Sequence, residues 1–388
     1  MPSRYRSREL GTGLHKGGRA LALKPGIVDQ YVDDKPLLRE QMHDVVGNRQ
    51  STNFLEQYQD DWVVGWYSGK NSSYWNCEKY LQYFDAGGNF PEVPDYTDAV
   101  AATMALARTN PSRPNVDVWN FLYELKDIPQ MIFQVGNLMR KYGTNPAKNW
   151  PRNKPEILRD VGSAYLGWTF GWEQLQRDLM GLLDFVGRVD QRAKELDRLM
   201  TGALRRRATL IDTVIPFKIE NAFYCGPLYQ SVVRATLNMS FTRRIWVRVQ
   251  YAPTSKTFQL LKGDRQELAR SLVFGHRPDI STVWNAIPWT WLIDWFSTAG
   301  DYFAANRNHL GLTVSDIAIM RESYAKLNNV ELVNPLSDSD FTENKHFHWH
   351  KRARVKYSGG PVITAYVPYL DGRNWSILSA LAAKYLPR

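Results

Sequence analysis

Val233-Arg-Ala-Thr-Leu-Asn-Met-Ser-Phe-Thr-Arg-Arg-Ile-Trp-Val-Arg-Val-Gln-Tyr251 decides the fold class, because its apolar residues recur with a period of two. From Val233 to Phe241 the odd positions are apolar, and Ile245, Val247, Val249 and Tyr251 continue the same phase. That period predicts a long strand or hairpin with one buried face, and with Arg244, Arg248 and Gln250 on the polar face. Upstream the period differs. Leu175, Leu179, Leu182, Val186, Val189, Ala193, Leu196 and Leu199 are spaced by three or four and form one stripe of a long helix between Pro155 and about Arg206. A chain that changes period in this way holds both kinds of layer.

Helical pattern also begins at Asp95 or Thr97, either of which can cap a segment running to about Arg108. Thr109-Asn-Pro-Ser-Arg-Pro ends it, and a further helix from about Val116 is kinked or split by Pro129 and stopped by Gly143. The first ninety or so residues are rich in turn signals between short aromatic and β-branched runs such as Trp62-Val-Val-Gly-Trp-Tyr67, which predicts strands and hairpins. Helix returns over 264–310, strands over 313–370, and a short amphipathic helix from Trp375 to Leu386. The expected class is α+β: an antiparallel helical bundle and an antiparallel β-sheet, each assembled from non-contiguous segments. The expected β region comprises 1–94, 207–263 and 311–370, and the helical region 95–206, 264–310 and 371–388.

Composition narrows the function classes. Among 388 residues, 44% are hydrophobic and 23% charged, which excludes wholesale disorder and fibrous classes. Two cysteines, Cys77 and Cys225, exclude a disulfide scaffold and a multi-cysteine zinc site. Lys and Arg exceed Asp and Glu by 49 to 39, a surplus that favours polyanions such as nucleic acid. The surplus is uneven: Arg4, Arg6, Arg8, Lys16, Arg19 and Lys24 crowd the first 25 residues, 26–100 is acidic, and 201–250 is basic again. No secretory h-region and no window of about 18 apolar residues is visible, so the expectation is a chain made in a cytosol with no membrane span.

Motifs for catalysis are lacking. There is no P-loop, dinucleotide fingerprint, His-Glu-x-x-His or Gly-x-Ser-x-Gly. The pairs Asp33-Asp34 and Asp60-Asp61 are adjacent residues that point opposite ways in extended chain, so neither makes a shared-proton dyad. His346, His348 and His350 share one face of a predicted strand, where two could share a zinc, yet no third ligand or supporting partner is identifiable. The same face continues through Arg352, Arg354 and Lys356 as a basic stripe suited to a phosphate backbone or an acidic protein surface. Arg205-Arg206-Arg207 closes the predicted long helix, where cations complement the helix dipole, but three arginine forks also suit phosphates. The expectation is no enzyme, no cofactor and no metal. The candidate phosphate contacts are Arg205, Arg206, Arg207, Arg243, Arg244 and Arg248, with Arg352, Arg354 and Lys356 as candidate contacts to a second partner.

Two segments carry a resemblance. Ala164-Tyr-Leu-Gly-Trp-Thr-Phe-Gly-Trp-Glu-Gln-Leu-Gln-Arg-Asp-Leu179 places an aromatic-Gly-Trp step before the long helix. Val283-Trp-Asn-Ala-Ile-Pro-Trp-Thr-Trp-Leu-Ile-Asp-Trp-Phe296 is followed by Gly300-Asp301. Both resemble signature segments of the maturation (A) proteins of the leviviruses, small positive-strand RNA bacteriophages. Glu173 and Gln174 replace the usual residues before Leu175, Asn285 stands where Glu is common, and Thr290 where Ser is common. The resemblance covers about 100–310 and the C-terminal helix. It implies an elongated virion protein, one copy per particle, that replaces a coat-protein dimer in the capsid and binds the genomic RNA near its 3′ end. It further implies attachment to a retractile host pilus and entry with the RNA, so that the six candidate phosphate contacts become RNA contacts and Arg352, Arg354 and Lys356 become candidates for touching the coat shell or the pilus. Some members of that family also inhibit a host cell-wall enzyme and cause lysis, and this stays open as an alternative. A cellular RNA-binding or metal-dependent enzyme is the remaining reading. Trp284, Pro288, Trp289, Trp291, Trp295 and Phe296 are read as core packing between a helix at 284–303 and the long helix, with direct base stacking as the alternative. Asp294 needs a partner if buried, with Arg177 and Arg159 as candidates.

Overall fold

The computed structural model describes residues 2–10, 19–22, 30–31, 38–46, 53–70, 75–82, 90–93, 95–115, scattered positions within 160–169, 184–223, 234–275, 279–287, 290–332, 340–366 and 372–384. The expected helix from Val116, the stripe residues Leu175, Leu179 and Leu182, and Asp33, Asp34, Arg159, Arg177 and Cys225 lie outside the described residues.

Among the described residues ten strands of unequal length form one sheet. They are β1 Ser3–Leu10, β2 Arg19–Ala22, β3 Gln30–Tyr31, β4 Leu38–Val45, β5 Leu55–Lys70, β6 Trp75–Gln82, β7 Leu204–Phe223, β8 Arg234–Ala252, β9 Thr313–Leu332 and β10 Asp340–Tyr357. Their spatial order is β3-β2-β6-β5-β10-β9-β8-β7, while β4 pairs with both β5 and β1. The pairs β1–β4, β4–β5, β5–β6, β5–β10 and β9–β10 are antiparallel. Eight helices are seen among the described residues: α1 Asp98–Thr109, α2 Phe185–Thr201, α3 Ser255–Leu261, α4 Arg265–Phe274, α5 Ile280–Ala286, α6 Thr290–Phe296, α7 Ala299–Ala305 and α8 Gly372–Lys384. The class is α+β.

The chain divides into two compact units. One comprises 1–93, 207–248 and 316–358, and the other 94–206, 249–315 and 359–388. The first holds the strands β1 to β6, β10 and most of β7 to β9; the second holds all eight of these helices.

In the sheet unit, period two acts as the sequence predicts. Leu237, Met239, Phe241, Ile245 and Val247 of β8 are all buried. They belong to the face on which Trp349 of β10 meets Phe90 at a ring separation of 4.7 Å and Phe241 at 6.3 Å.

In the helical unit, α1 is buried almost all round, from Val100 to Ala107, which its small side chains permit. Thr97 caps it by accepting from the Val100 N–H at 3.4 Å. Helix α2 buries Val189, Leu196 and Leu199, but Val186 of the predicted stripe is exposed and Arg192 is buried within it. The Arg192 guanidinium donates to the carbonyls of Pro111 at 2.9 Å and Arg113 at 3.0 Å and to Asn115 Oδ1 at 3.0 Å, so it satisfies the loop that follows α1. Burial and the neighbouring Arg206 lower its pKa to about 10, against the opposing pull of Glu195.

Helix α2 ends at Thr201, not at Arg206. The Gly202 N–H closes on the Arg198 carbonyl at 3.0 Å, and the chain is extended from Leu204. The predicted helix over 284–303 is likewise three short helices. The first helix closes at Ile287, whose N–H reaches the Trp284 carbonyl at 3.1 Å, and at the second break the buried Thr298 donates its hydroxyl to the Val362 carbonyl at 2.6 Å.

These breaks are held by Asp294. Its carboxylate accepts from the Trp284 indole at 3.1 and 3.2 Å and from the Gly300 N–H at 2.8 Å, so α5, α6 and α7 close on one group. Burial raises the Asp294 pKa, and these two donors oppose the rise. A side chain on Gly300 would place its Cβ 2.5 Å from Asp294 Oδ2. Trp295 packs on Leu166, Ile377 and Ala380, and the Tyr165 hydroxyl meets Ser376 Oγ at 2.6 Å. The segments that carry the resemblance thus meet one another and α8. Phe296, expected in the core, is 44% exposed.

Trp284→Phe leaves a half-buried carboxylate short of a donor and is expected to cost about 1–3 kcal/mol. Gly300→Ala is expected to cost at least as much. Denaturant unfolding followed by circular dichroism checks both, and wild-type midpoints would refute the assignment.

Candidate nucleic-acid interface

Strand alternation sends even-numbered residues of β10 to the face opposite Trp349. Residues paired across an antiparallel ladder share a face, so register identifies the neighbours of that row. Arg352 pairs with Glu322 of β9 and Gln57 of β5, and Arg354 with Met320 and Leu55. Arg244 of β8 reaches the same face, with its guanidinium 3.9 Å from Glu322 Oε2 and 2.9 Å from Asp212 Oδ1 of β7.

Of these residues all but Gln57 line an open groove of about 510 Å³ within the sheet unit, with Arg207, Thr209, Trp246 and Arg321 also at its wall. Four arginines whose side chains share this face (Arg207, Arg244, Arg352 and Arg354) meet two carboxylates there, Asp212 and Glu322, whereas Arg321 pairs with Ala353 and so belongs by parity to the opposite face. The Arg207 guanidinium lies over the Trp246 ring, 4.9 Å from its centroid. Planar cations and an indole on a concave, polar surface suit phosphates and bases alike.

Glu322 organises the groove floor. It is buried at 8% exposure and accepts from His350 Nε2 and from Arg352 Nε, each at 2.8 Å. Burial pushes its carboxyl upward, but the hydrogen bonds from Arg352 and His350 and their charges more than offset this and hold it below the ordinary glutamate range. One carboxylate therefore fixes two side chains of β10 while Arg352, at 48% side-chain exposure, keeps part of its fork open to solvent. Arg354 donates to the Asn53 carbonyl at 2.7 Å, and Lys356 approaches Asp316 at 3.8 Å.

The nine predicted contact residues separate into groups. Arg207, Arg244, Arg352 and Arg354 come together in the groove. Arg248 is exposed on the same side of β8 as Arg244. Lys356 continues the β10 row. Arg205 belongs to the helical unit, where it donates to Gln250 Oε1 at 2.9 Å. Arg206, in the same unit, complements the carboxyl end of α1 by donating to the carbonyls of Thr109 at 3.0 Å and Asn110 at 3.3 Å, and it also pairs with Glu195. Its fork serves the fold. Arg243 has odd parity, so it projects to the apolar face and donates to Ser323 Oγ.

The two contact sets, expected to serve different partners, thus overlap on one surface. Of the histidine row, His350 is taken up by Glu322, and among the described residues no cluster of metal-ligating side chains occurs. Sequence reasoning missed Glu322 and Trp246. The signal for Trp246 was available, since it lies between Arg244 and Arg248 on the polar parity of β8. No family model matches the chain, and no curated protein resembles it closely enough to be matched.

Because the folded Glu322 pKa is depressed, its contribution to stability is present above the unfolded pKa and is lost as pH falls through the folded one. Wild type is therefore expected to lose stability on acidification in that window, and Glu322→Gln to lose about 1–3 kcal/mol at neutral pH with a flatter acid limb. Thermal melts between pH 3 and 7 measure both.

Proposed function

We propose that this chain is a virion maturation protein of an RNA bacteriophage, and that its basic sheet face holds the phosphate backbone of the genomic RNA. The observation that carries the RNA reading is the groove that Arg207, Arg244, Arg352 and Arg354 line together with Trp246. Arginine forks donate bidentately to phosphate oxygens, and neutralising phosphates releases counterions, so affinity arises without base-specific contacts. The phage reading is supported by the resemblance of 164–179 and 283–301 to levivirus signature segments. On that reading one copy takes the place of a coat dimer in the capsid, binds near the 3′ end of the RNA, and adsorbs the particle to a retractile pilus before genome entry. Binding and adhesion are its whole activity, with no reaction catalysed and no cofactor required.

A filter-binding titration with genomic 3′ RNA over a salt series tests the groove. Arg244→Ala with Arg352→Ala is expected to weaken binding and to reduce the slope of log K against log salt by about 1.4–1.8, at roughly 0.7–0.9 per phosphate contact. An unchanged slope in a folded double variant would remove the groove from the RNA site. Mass spectrometry of purified particles tests the virion assignment, which fails if the chain is absent from them.

A further inference from the structure

The basic N-terminal strand has no role in the groove as described, yet register places it on the same surface. Leu55, Gln57 and Gln59 of β5 pair with Arg354, Arg352 and His350 on one side. On the other side the same three residues pair with Asp44, Met42 and Glu40 of β4. Those in turn pair with Arg4, Arg6 and Arg8 of β1. Three cross-strand rows therefore run without interruption from β10 to β1. Paired residues share a face, so Arg4, Arg6 and Arg8 stand on the groove side of the sheet. Ser7, one residue out of phase, belongs to the side of Tyr58, which meets Trp349 with rings 6.2 Å apart.

The local charge balance favours an anion here as well. Arg4 donates to Asp44 at 3.0 and 2.6 Å and Arg6 approaches the same carboxylate at 3.4 Å, so one negative charge serves two guanidinium groups. The side chains of Arg4 and Arg6 remain 48% and 52% exposed. Glu40, the partner of Arg8 in register, accepts from Gln57 at 2.9 Å. From β7 through β8, β9, β10, β5 and β4 to β1, seven adjacent strands span roughly 29 Å at about 4.8 Å per step. That width accommodates several consecutive phosphates.

We propose that β1 is part of the RNA-binding face, with Arg4, Arg6 and Arg8 extending the phosphate track of the groove across the sheet. The inference rests on the reading of the groove as an RNA site and adds three contacts to it. It assigns a use to the basic N-terminal cluster, and it makes the RNA path run across the strands.

The test uses the full chain and a single-stranded RNA oligonucleotide of about 30 nucleotides, titrated from 50 to 300 mM salt. Arg4→Gln/Arg6→Gln/Arg8→Gln is expected to weaken binding about 5- to 30-fold at 150 mM salt and to lower the salt slope by about 2, at roughly 0.7 per contact. Arg4→Lys/Arg6→Lys/Arg8→Lys is expected to keep the wild-type slope, since charge is retained. A glutamine variant with the wild-type slope, beside a groove double variant that has lost part of its own, overturns this inference and leaves the groove reading intact. Equal loss in the lysine and glutamine variants also overturns it, because the strand then acts through structure and not charge. Failure of wild type to bind RNA overturns both.

Discussion

The register of β10 between β5 and β9 is the constraint on which the sheet unit depends. Because side chains alternate, a slip by one residue would send Trp349 to the groove and bring Arg352 and Arg354 onto Phe90 and Phe241. Two contacts resist that slip from opposite sides. Aromatic packing holds the odd residues on one face, while Glu322 holds His350 and Arg352 on the other. Neither contact needs to be strong by itself, because displacing one breaks the other. A surface of arginines is thereby stabilised by the same pairing that buries the aromatic rings.

The guanidinium groups divide their labour by burial. Arg192 and Arg206 are drawn into the helical unit, where backbone carbonyls at the end of α1 and in the loop after it take up their donors. A buried arginine without such acceptors would be costly, so these two are committed to the fold. Arg207 and Arg244 remain partly open to solvent, with one held on an indole and the other on carboxylates. Orientation without full neutralisation is what an anion-binding face requires, because side chains already held in place lose less entropy on binding.

Much of this was legible in the residues. The alternation from Val233 to Tyr251 gives both the strand and its buried face, and α1 was marked by Thr97 and the prolines after it. The same parity already separates Arg243 from Arg244, although composition alone counts both as basic. The end of α2 was misjudged because Arg205–Arg207 can prolong a helix, whereas Gly202 stops it and Leu204 and Ala208 turn inward from a strand. What lay beyond local pattern was pairing at a distance. Residues of β5 and β10 meet across almost the whole chain, and no period in either strand names its neighbour. Asp294 shows the same limit at short range, since its partners are an indole ten residues back and a backbone N–H six residues on, and neither is a cation.

That carboxylate also restricts how the chain can drift. The indole that donates to it, the acid itself and the bare Cα that lets the third helix approach form a unit in which no member is replaceable alone. An alanine at 300 becomes tolerable only with a shorter or apolar residue at 294, and such a residue in turn leaves the Trp284 N–H without its acceptor. Related chains should therefore show these three positions inherited as a block, with exchange at one accompanied by exchange at the others.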